Sequence, residues 1–170
     1  MTDSLDWVEK TTEIPAGGLT RTRDATTAEL TAIAEALDIP AVSRLALEYR
    51  IVAISGGAYR LTGSLAADVV QACIVSLEPV DGKVDANFDV EFWPDLKPEE
   101  SEDEASILSG TDVELLEHGV IPVGRIAFEM LSASLDPYPR REDAEFTWQD
   151  QKAKEAANPF AALSKLKDKG

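Results

Sequence analysis

Val84-Asp85-Ala86-Asn87-Phe88-Asp89-Val90-Glu91-Phe92 is the stretch that decides the fold. Apolar side chains alternate with acidic or amide ones without a break, and in an extended chain successive side chains point to opposite faces. It reads as a half-buried strand, with Val84, Ala86, Phe88, Val90 and Phe92 inward and Asp85, Asn87, Asp89 and Glu91 toward water. The same period recurs upstream. Leu45, Leu47, Tyr49 and Ile51 share one side, with Arg44, Glu48 and Arg50 on the other. Ser55-Gly56-Gly57 is a hairpin signal, after which Tyr59, Leu61, Gly63 and Leu65 alternate with Arg60, Thr62 and Ser64. A third strand is expected to carry Val69, Cys73, Val75 and Leu77, with Glu78-Pro79-Val80-Asp81-Gly82 turning the chain into the opening stretch. Four successive strands with short turns predict an antiparallel meander over about residues 42–93, able to curl toward a barrel.

Helical spacing flanks the meander. Thr26-x-x-Glu29 is a capping-box pattern opening a helix with Leu30, Ile33, Ala34 and Leu37 on one stripe; Asp38-Ile39-Pro40 closes it. Pro122 suits a first helical position before the stripe Val123, Ile126, Ala127, Met130, Leu131 and Ser134, which Asp136-Pro137 ends. The expected class is α+β: a meander covered by these helices in a single domain over residues 1–140, an acidic loop at about 94–118, a polar linker over 141–157 and an amphipathic helix over 158–170. In that last segment Asn158 is a good N-cap and Pro159 fits the first turn. Phe160, Leu163 and Leu166 give one apolar side, and Lys165, Lys167 and Lys169 lie where the helix dipole favours cations. A short basic helix at the end of an acidic chain reads as a docking element, with Asn158, Pro159, Phe160, Leu163, Lys165 and Lys167 as its partner-binding residues; the alternative is a helix packed back on its own domain.

Composition bounds the function. The net charge is -16, so the field of the whole protein repels phosphate backbones and anionic membranes and suits a basic partner. Between Asp81 and Glu117 thirteen acids stand against two lysines, which places most of the excess charge in one stretch. No run approaches a membrane span of about 18 apolar residues. Met1-Thr2-Asp3-Ser4-Leu5-Asp6 has neither a basic nor an apolar leader region, and one cysteine excludes an internal disulfide, so the cytoplasm is the expected compartment.

Catalytic signals are sparse. His118, the single histidine, stands beside Glu117 and Gly119 and cannot alone build a histidine metal site. Cys73 reads as a small buried hydrophobe in its strand. No calcium-loop, dinucleotide or phosphate-loop motif is present. No catalytic residue, metal or cofactor is expected. The competing class, a small-molecule-binding or hydrolytic enzyme, would need a well-formed pocket around His118 or Cys73. For RNA contact the candidates are Arg44, Arg50 and Arg60 on one sheet face, and Arg140 and Arg141 beyond the second helix; the neighbouring Tyr49 and Tyr59 alternate with the sheet arginines and should face away from them.

Four segments carry a resemblance, one of them the start, Ile14-Pro15 to Gly18-Leu19 followed by the capped helix. Val69-Val70-Gln71-Ala72-Cys73-Ile74-Val75-Ser76-Leu77-Glu78-Pro79-Val80 resembles the central signature of the bacterial YceD family of large ribosomal RNA subunit accumulation proteins, in its alphaproteobacterial branch. The helix running into Leu135-Asp136-Pro137-Tyr138-Pro139-Arg140, and the closing Asn158-Pro159-Phe160-Ala161-Ala162-Leu163-Ser164-Lys165-Leu166-Lys167, are similar too. Many relatives carry a Cys-x-x-Cys pair where this chain has Cys73 and Ser76, so a metal or redox role of that pair does not carry over. The resemblance implies a cytosolic, non-enzymatic factor supporting accumulation of large-subunit ribosomal RNA. Its expected partners are a basic ribosomal protein or large-subunit precursor rRNA, with no membrane and no DNA.

Overall fold

The computed structural model describes residues 5–95 and 111–143. Strand β1 (Glu9–Lys10) is followed by β2 (Leu19–Asp24), helix α1 (Thr27–Ala36), and the long strands β3 (Ala41–Ala53), β4 (Tyr59–Ala72) and β5 (Pro79–Trp93). Then come β6 (Asp112–Leu115), β7 (Val120–Ile121) and helix α2 (Val123–Ser134). One sheet has the order β2-β3-β4-β5-β6; β1 and β7 form a separate antiparallel pair. The pairs β2–β3, β3–β4 and β4–β5 are antiparallel, while β6 runs parallel to β5.

The alternation read from the sequence sets the inner face. Leu45, Leu47, Tyr49, Ile51, Leu61, Leu65, Val84, Phe88, Val90 and Phe92 are buried beneath α1 and α2, which contribute Ile33, Ala34, Val123, Ile126, Ala127 and Leu131. The capping box is formed: Glu29 N–H donates to Thr26 Oγ1, and Thr26 N–H donates to Glu29 Oε2 at 2.7 Å. Gly63 sits in the middle of β4 because a Cβ there would run into the Glu48 carbonyl and the Phe88 ring.

Four expectations need correction. The two strands read at 59–65 and 69–77 are one strand, β4, which ends at Ala72. Residues 73–78 are the turn and Pro79 already pairs in β5. The spacing of Cys73, Val75 and Leu77 imitated a strand, but the Ile74 N–H goes to Pro139 O and Leu77 adopts a left-handed φ of 61°. The barrel does not form, because β2 and β6 remain as open edges. Edge strand β2 was hidden in the sequence by Arg21 and Arg23, charged at inward positions. Strand β6 lies inside the stretch read as an acidic loop. The middle of that loop, all but the first residues of the linker 141–157, and the helix expected over 158–170 lie outside the described residues.

The inward arginines are possible because Glu9, the single buried charged side chain among the described residues, stands between them. Arg21 Nη1 donates to Glu9 Oε1 at 3.1 Å, Arg23 Nη2 lies 3.5 Å from the same oxygen, and the buried Tyr49 hydroxyl donates to it at 2.6 Å. Burial, and then the bond to Glu9, raises the Tyr49 pKa above its ordinary value. Trp7 Nε1 donates to Glu29 Oε1 at 2.8 Å and the Gly124 N–H to the Trp7 carbonyl, so the segment before β1 is tied to both helices. Burial opposes ionisation of Glu29, but the bonds from Thr26 and Trp7 outweigh it and hold the carboxyl below its usual range.

Candidate functional site

Both helices lie on one side of the sheet, and among the described residues no element covers the other side. The side chains alternating away from the core compose that face: Thr20, Thr22 and Asp24 from β2; Arg44, Ala46, Glu48 and Arg50 from β3; Arg60, Thr62, Ser64, Ala66 and Asp68 from β4; Asp85, Asn87, Asp89 and Glu91 from β5. Register aligns Thr22, Glu48, Ser64 and Asn87 across four strands, and beside them Asp24, Ala46, Ala66 and Asp85. The small side chains in these rows leave a shallow open groove of about 510 Å³ with charged walls. Sequence reasoning did not single out this groove. Its signal is the run of alanine, serine and threonine at outward positions of otherwise charged strands.

The structure brings Arg44, Arg50 and Arg60 onto this face, as expected, and Tyr49 and Tyr59 lie on the opposite one. No tyrosine is therefore placed to stack a base against the arginines. The arginines are also interleaved with carboxylates. Arg60 Nε donates to Asp89 Oδ1 at 2.8 Å, and this ion pair, whose second arm joins Nη2 to Oδ2, raises the guanidinium pKa. Arg50 Nη2 donates to the Gly17 carbonyl at 3.3 Å. Acids outnumber bases on the face, and the outward row of β5 carries Asp81, Asp85, Asp89 and Glu91 against Lys83 alone. Its electrostatic character is that of an acidic strip with isolated arginines.

Arg140 and Arg141 do not join this face. They follow α2 on a segment lying along the turn 73–78, where Arg141 Nη1 stands 3.1 Å from Glu78 Oε2 and Arg141 Nε donates to Asp143 Oδ1 at 2.9 Å. Within the same turn Cys73 is buried, as expected, although it follows the strand instead of lying in it. The Ser76 hydroxyl, followed by the Ser76 and Arg141 N–H groups, lowers the Cys73 pKa to about 6 against the opposing effect of burial. The Ser76 N–H lies 3.5 Å from Sγ. The Ser76 backbone N–H thus faces the Cys73 sulfur, and the residue beside it carries a hydroxyl. Ser76→Ala should raise the Cys73 pKa toward the ordinary 9.0 while leaving the fold intact. Thiolate absorbance during a pH titration measures it, and an unchanged midpoint would show that the hydroxyl has no part in holding the thiolate.

His118 is exposed at a left-handed turn position, φ 55°, beside an open groove of about 600 Å³ that also includes Val113, Glu114, Leu115 and Arg125. Arg125 is held there by Glu114 and, at 2.9 Å, by Glu129. Among the described residues His118 has no side-chain hydrogen bond, and no group of three metal-ligating side chains converges. No helix among the described residues is long and apolar enough to cross a membrane. The partner-binding residues expected at Asn158, Pro159, Phe160, Leu163, Lys165 and Lys167 lie outside the described residues.

No curated protein and no solved structure matches the chain. The model of one family matches residues 61–167, a span that takes in most of β4, the Cys73 turn, β5, α2 and most of the terminal segment. The chain belongs to that family, described as large ribosomal RNA subunit accumulation protein YceD.

Proposed function

We propose that this protein is a non-enzymatic, cytoplasmic ribosome-biogenesis factor that supports large-subunit ribosomal RNA accumulation by holding a basic ribosomal protein before its assembly. The observation that carries the reading is the acidic strip on the open sheet face, formed by the outward row of β5 in a chain of net charge -16. A ribosomal protein must bind rRNA phosphates and carries a basic surface for it. An acidic, groove-bearing sheet face offers such a surface a temporary counter-charge, and speeds encounter through the long-range field. The terminal residues Asn158, Pro159, Phe160, Leu163, Lys165 and Lys167 serve as a separate docking element, which their lysines direct at an acidic surface of the precursor particle and not at the basic protein.

Direct contact with precursor rRNA through Arg44, Arg50 and Arg60, or through Arg140 and Arg141, is the second reading. It is favoured by the three arginines sharing one face, and opposed by the carboxylates between them and by the inward tyrosines. A triple variant, Asp85→Asn/Asp89→Asn/Glu91→Gln, separates the two. The side chains are outward, so the melting temperature should stay within a few degrees of wild type. Capture of a basic ribosomal protein should weaken about tenfold or more at low salt, as each lost charge costs a few tenths to one kcal/mol. Stronger retention of rRNA by the variant, with protein capture unchanged, would favour the RNA reading.

A further inference from the structure

The turn 73–78 and the segment 136–141 together build one corner of the domain. Gln71 Nε2 donates to the Asp136 carbonyl at 2.9 Å, the Ile74 N–H to the Pro139 carbonyl at 2.9 Å, and Arg141 pairs with Glu78. Three large apolar side chains stand in water there: Ile74 is 52% exposed, Leu77 79% and Tyr138 71%, the highest values for large hydrophobic residues among those described. Leu77 is raised by its own backbone. Its φ of 61° lies in the left-handed region that leucine avoids, yet this conformation leaves the residue mostly exposed. Four carboxylates, Glu78, Asp136, Glu142 and Asp143, are carried by the turn and the segment that hold the patch, against Arg140 and Arg141; Arg141 pairs with Glu78 and Asp143. The corner thus joins an apolar patch to an excess of carboxylates.

The chain leaves the described residues at this corner. Asp143, bonded to Arg141, is followed by fourteen residues and then by the segment 158–170. Fourteen residues of coil have a root-mean-square span of about 20 Å, so the patch is within easy reach. Tethering at that length corresponds to a millimolar effective concentration, enough for a small surface to capture a weak ligand. The segment matches the corner in kind, with Phe160, Leu163 and Leu166 at helical spacing and Lys165, Lys167 and Lys169 beside them. A helix this short is marginal in water and forms only against a surface.

We propose that in the free protein residues 158–170 fold back as a helix across the Ile74–Leu77–Tyr138 corner. Its three apolar side chains lie on the patch and its lysines among the corner's carboxylates. Where the tail also docks on a ribosomal partner, which rests on the proposed function above, the same apolar side cannot serve both surfaces. The partner must displace it, so the corner acts as a latch that weakens partner binding by the fraction of chains in the latched state. The fold-back itself requires no partner.

Hydrogen exchange on the purified full chain tests the latch. Amides of residues 160–166 should exchange about tenfold or more slower than free coil in the wild type. In the double variant Leu77→Asn/Tyr138→Ser they should accelerate toward the coil rate, with protection in β3, β4 and β5 unchanged. Asparagine tolerates the left-handed backbone, so the turn survives while the apolar side chain is lost. Three results would overturn the proposal. They are coil-rate exchange of 160–166 in the wild type, protection there that is equal in the double variant, or protection that disappears on dilution and so belongs to a second copy. None depends on a ribosomal partner, so failure of the latch and failure of the proposed function register separately.

Discussion

Phe92→Ala should lower the stability of the domain by about 3–5 kcal/mol, the range for emptying a fully buried aromatic site. Phe92 has no solvent exposure, lies opposite Tyr59 in the β4–β5 register, and belongs to the strand against which α2 packs. Its loss leaves a cavity between sheet and helix that neither can close, because β5 is held by its ladder to β4 along its full length. For a domain of this size the melting temperature should fall by about 10 °C or more. Asn87→Ala, five residues earlier on the outward face, is the matched control and should change stability by less than about 0.5 kcal/mol. Thermal unfolding of the two variants checks both numbers. Equal effects would mean that the sheet does not have one buried and one open face.

Removing residues 158–170 should release the particle-bound fraction of the protein. The terminal segment carries three apolar side chains at helical spacing, and three lysines, in an otherwise acidic chain. It is the part of the molecule best matched to an acidic-apolar surface. Association with large-subunit precursor particles should drop by about an order of magnitude or more on truncation, and the residual binding should show a weaker salt dependence because the lysines are gone. The melting temperature should change little, since the latch contributes only a small tethered contact. Sedimentation of lysates with antibody detection of the chain across the gradient makes the measurement. A truncated chain that sediments with the particles as fully as wild type would remove the tail from the docking account.

The sequence made the sheet legible wherever period-2 alternation coincided with burial. Strands β3 and β5 were read directly because every inward position from Leu45 to Ile51, and from Val84 to Phe92, is apolar or small. Alternation misled at its ends. Val75 and Leu77 continue the period of β4 after the chain has already turned; the turn is closed by the Cys73 N–H to the Glu78 carbonyl and the Leu77 N–H to the Cys73 carbonyl, and tied down by the Ile74 N–H to Pro139, sixty-five residues away. Strand β2 was illegible for the opposite reason: Arg21 and Arg23 break the apolar pattern, and their compensation by Glu9 and Tyr49 is tertiary. Both helices were legible through an apolar stripe, α1 also through its capping box; Pro122, read as the first helical residue of α2, stands one position earlier, at its N-cap, with no side-chain cap. For the candidate site, the shared face of Arg44, Arg50 and Arg60 followed from parity alone. The pairing of Arg60 with Asp89, which removes much of its value to a phosphate, depends on cross-strand register and could not be read in advance. Leu77 and Tyr138 were equally hidden, because no periodicity announces an apolar side chain left in water.

The central claim is that this family member supports large-subunit rRNA accumulation through a basic protein held on an acidic surface. The measurement closest to it is purification of the full chain from native lysate with and without ribonuclease, with mass spectrometry of what remains bound. The account predicts that one basic large-subunit ribosomal protein stays bound after nuclease treatment, near one copy per chain, and that it dissociates from the Asp85→Asn/Asp89→Asn/Glu91→Gln variant. Loss of every ribosomal component on nuclease treatment would contradict it, and would make RNA the ligand of the open sheet face.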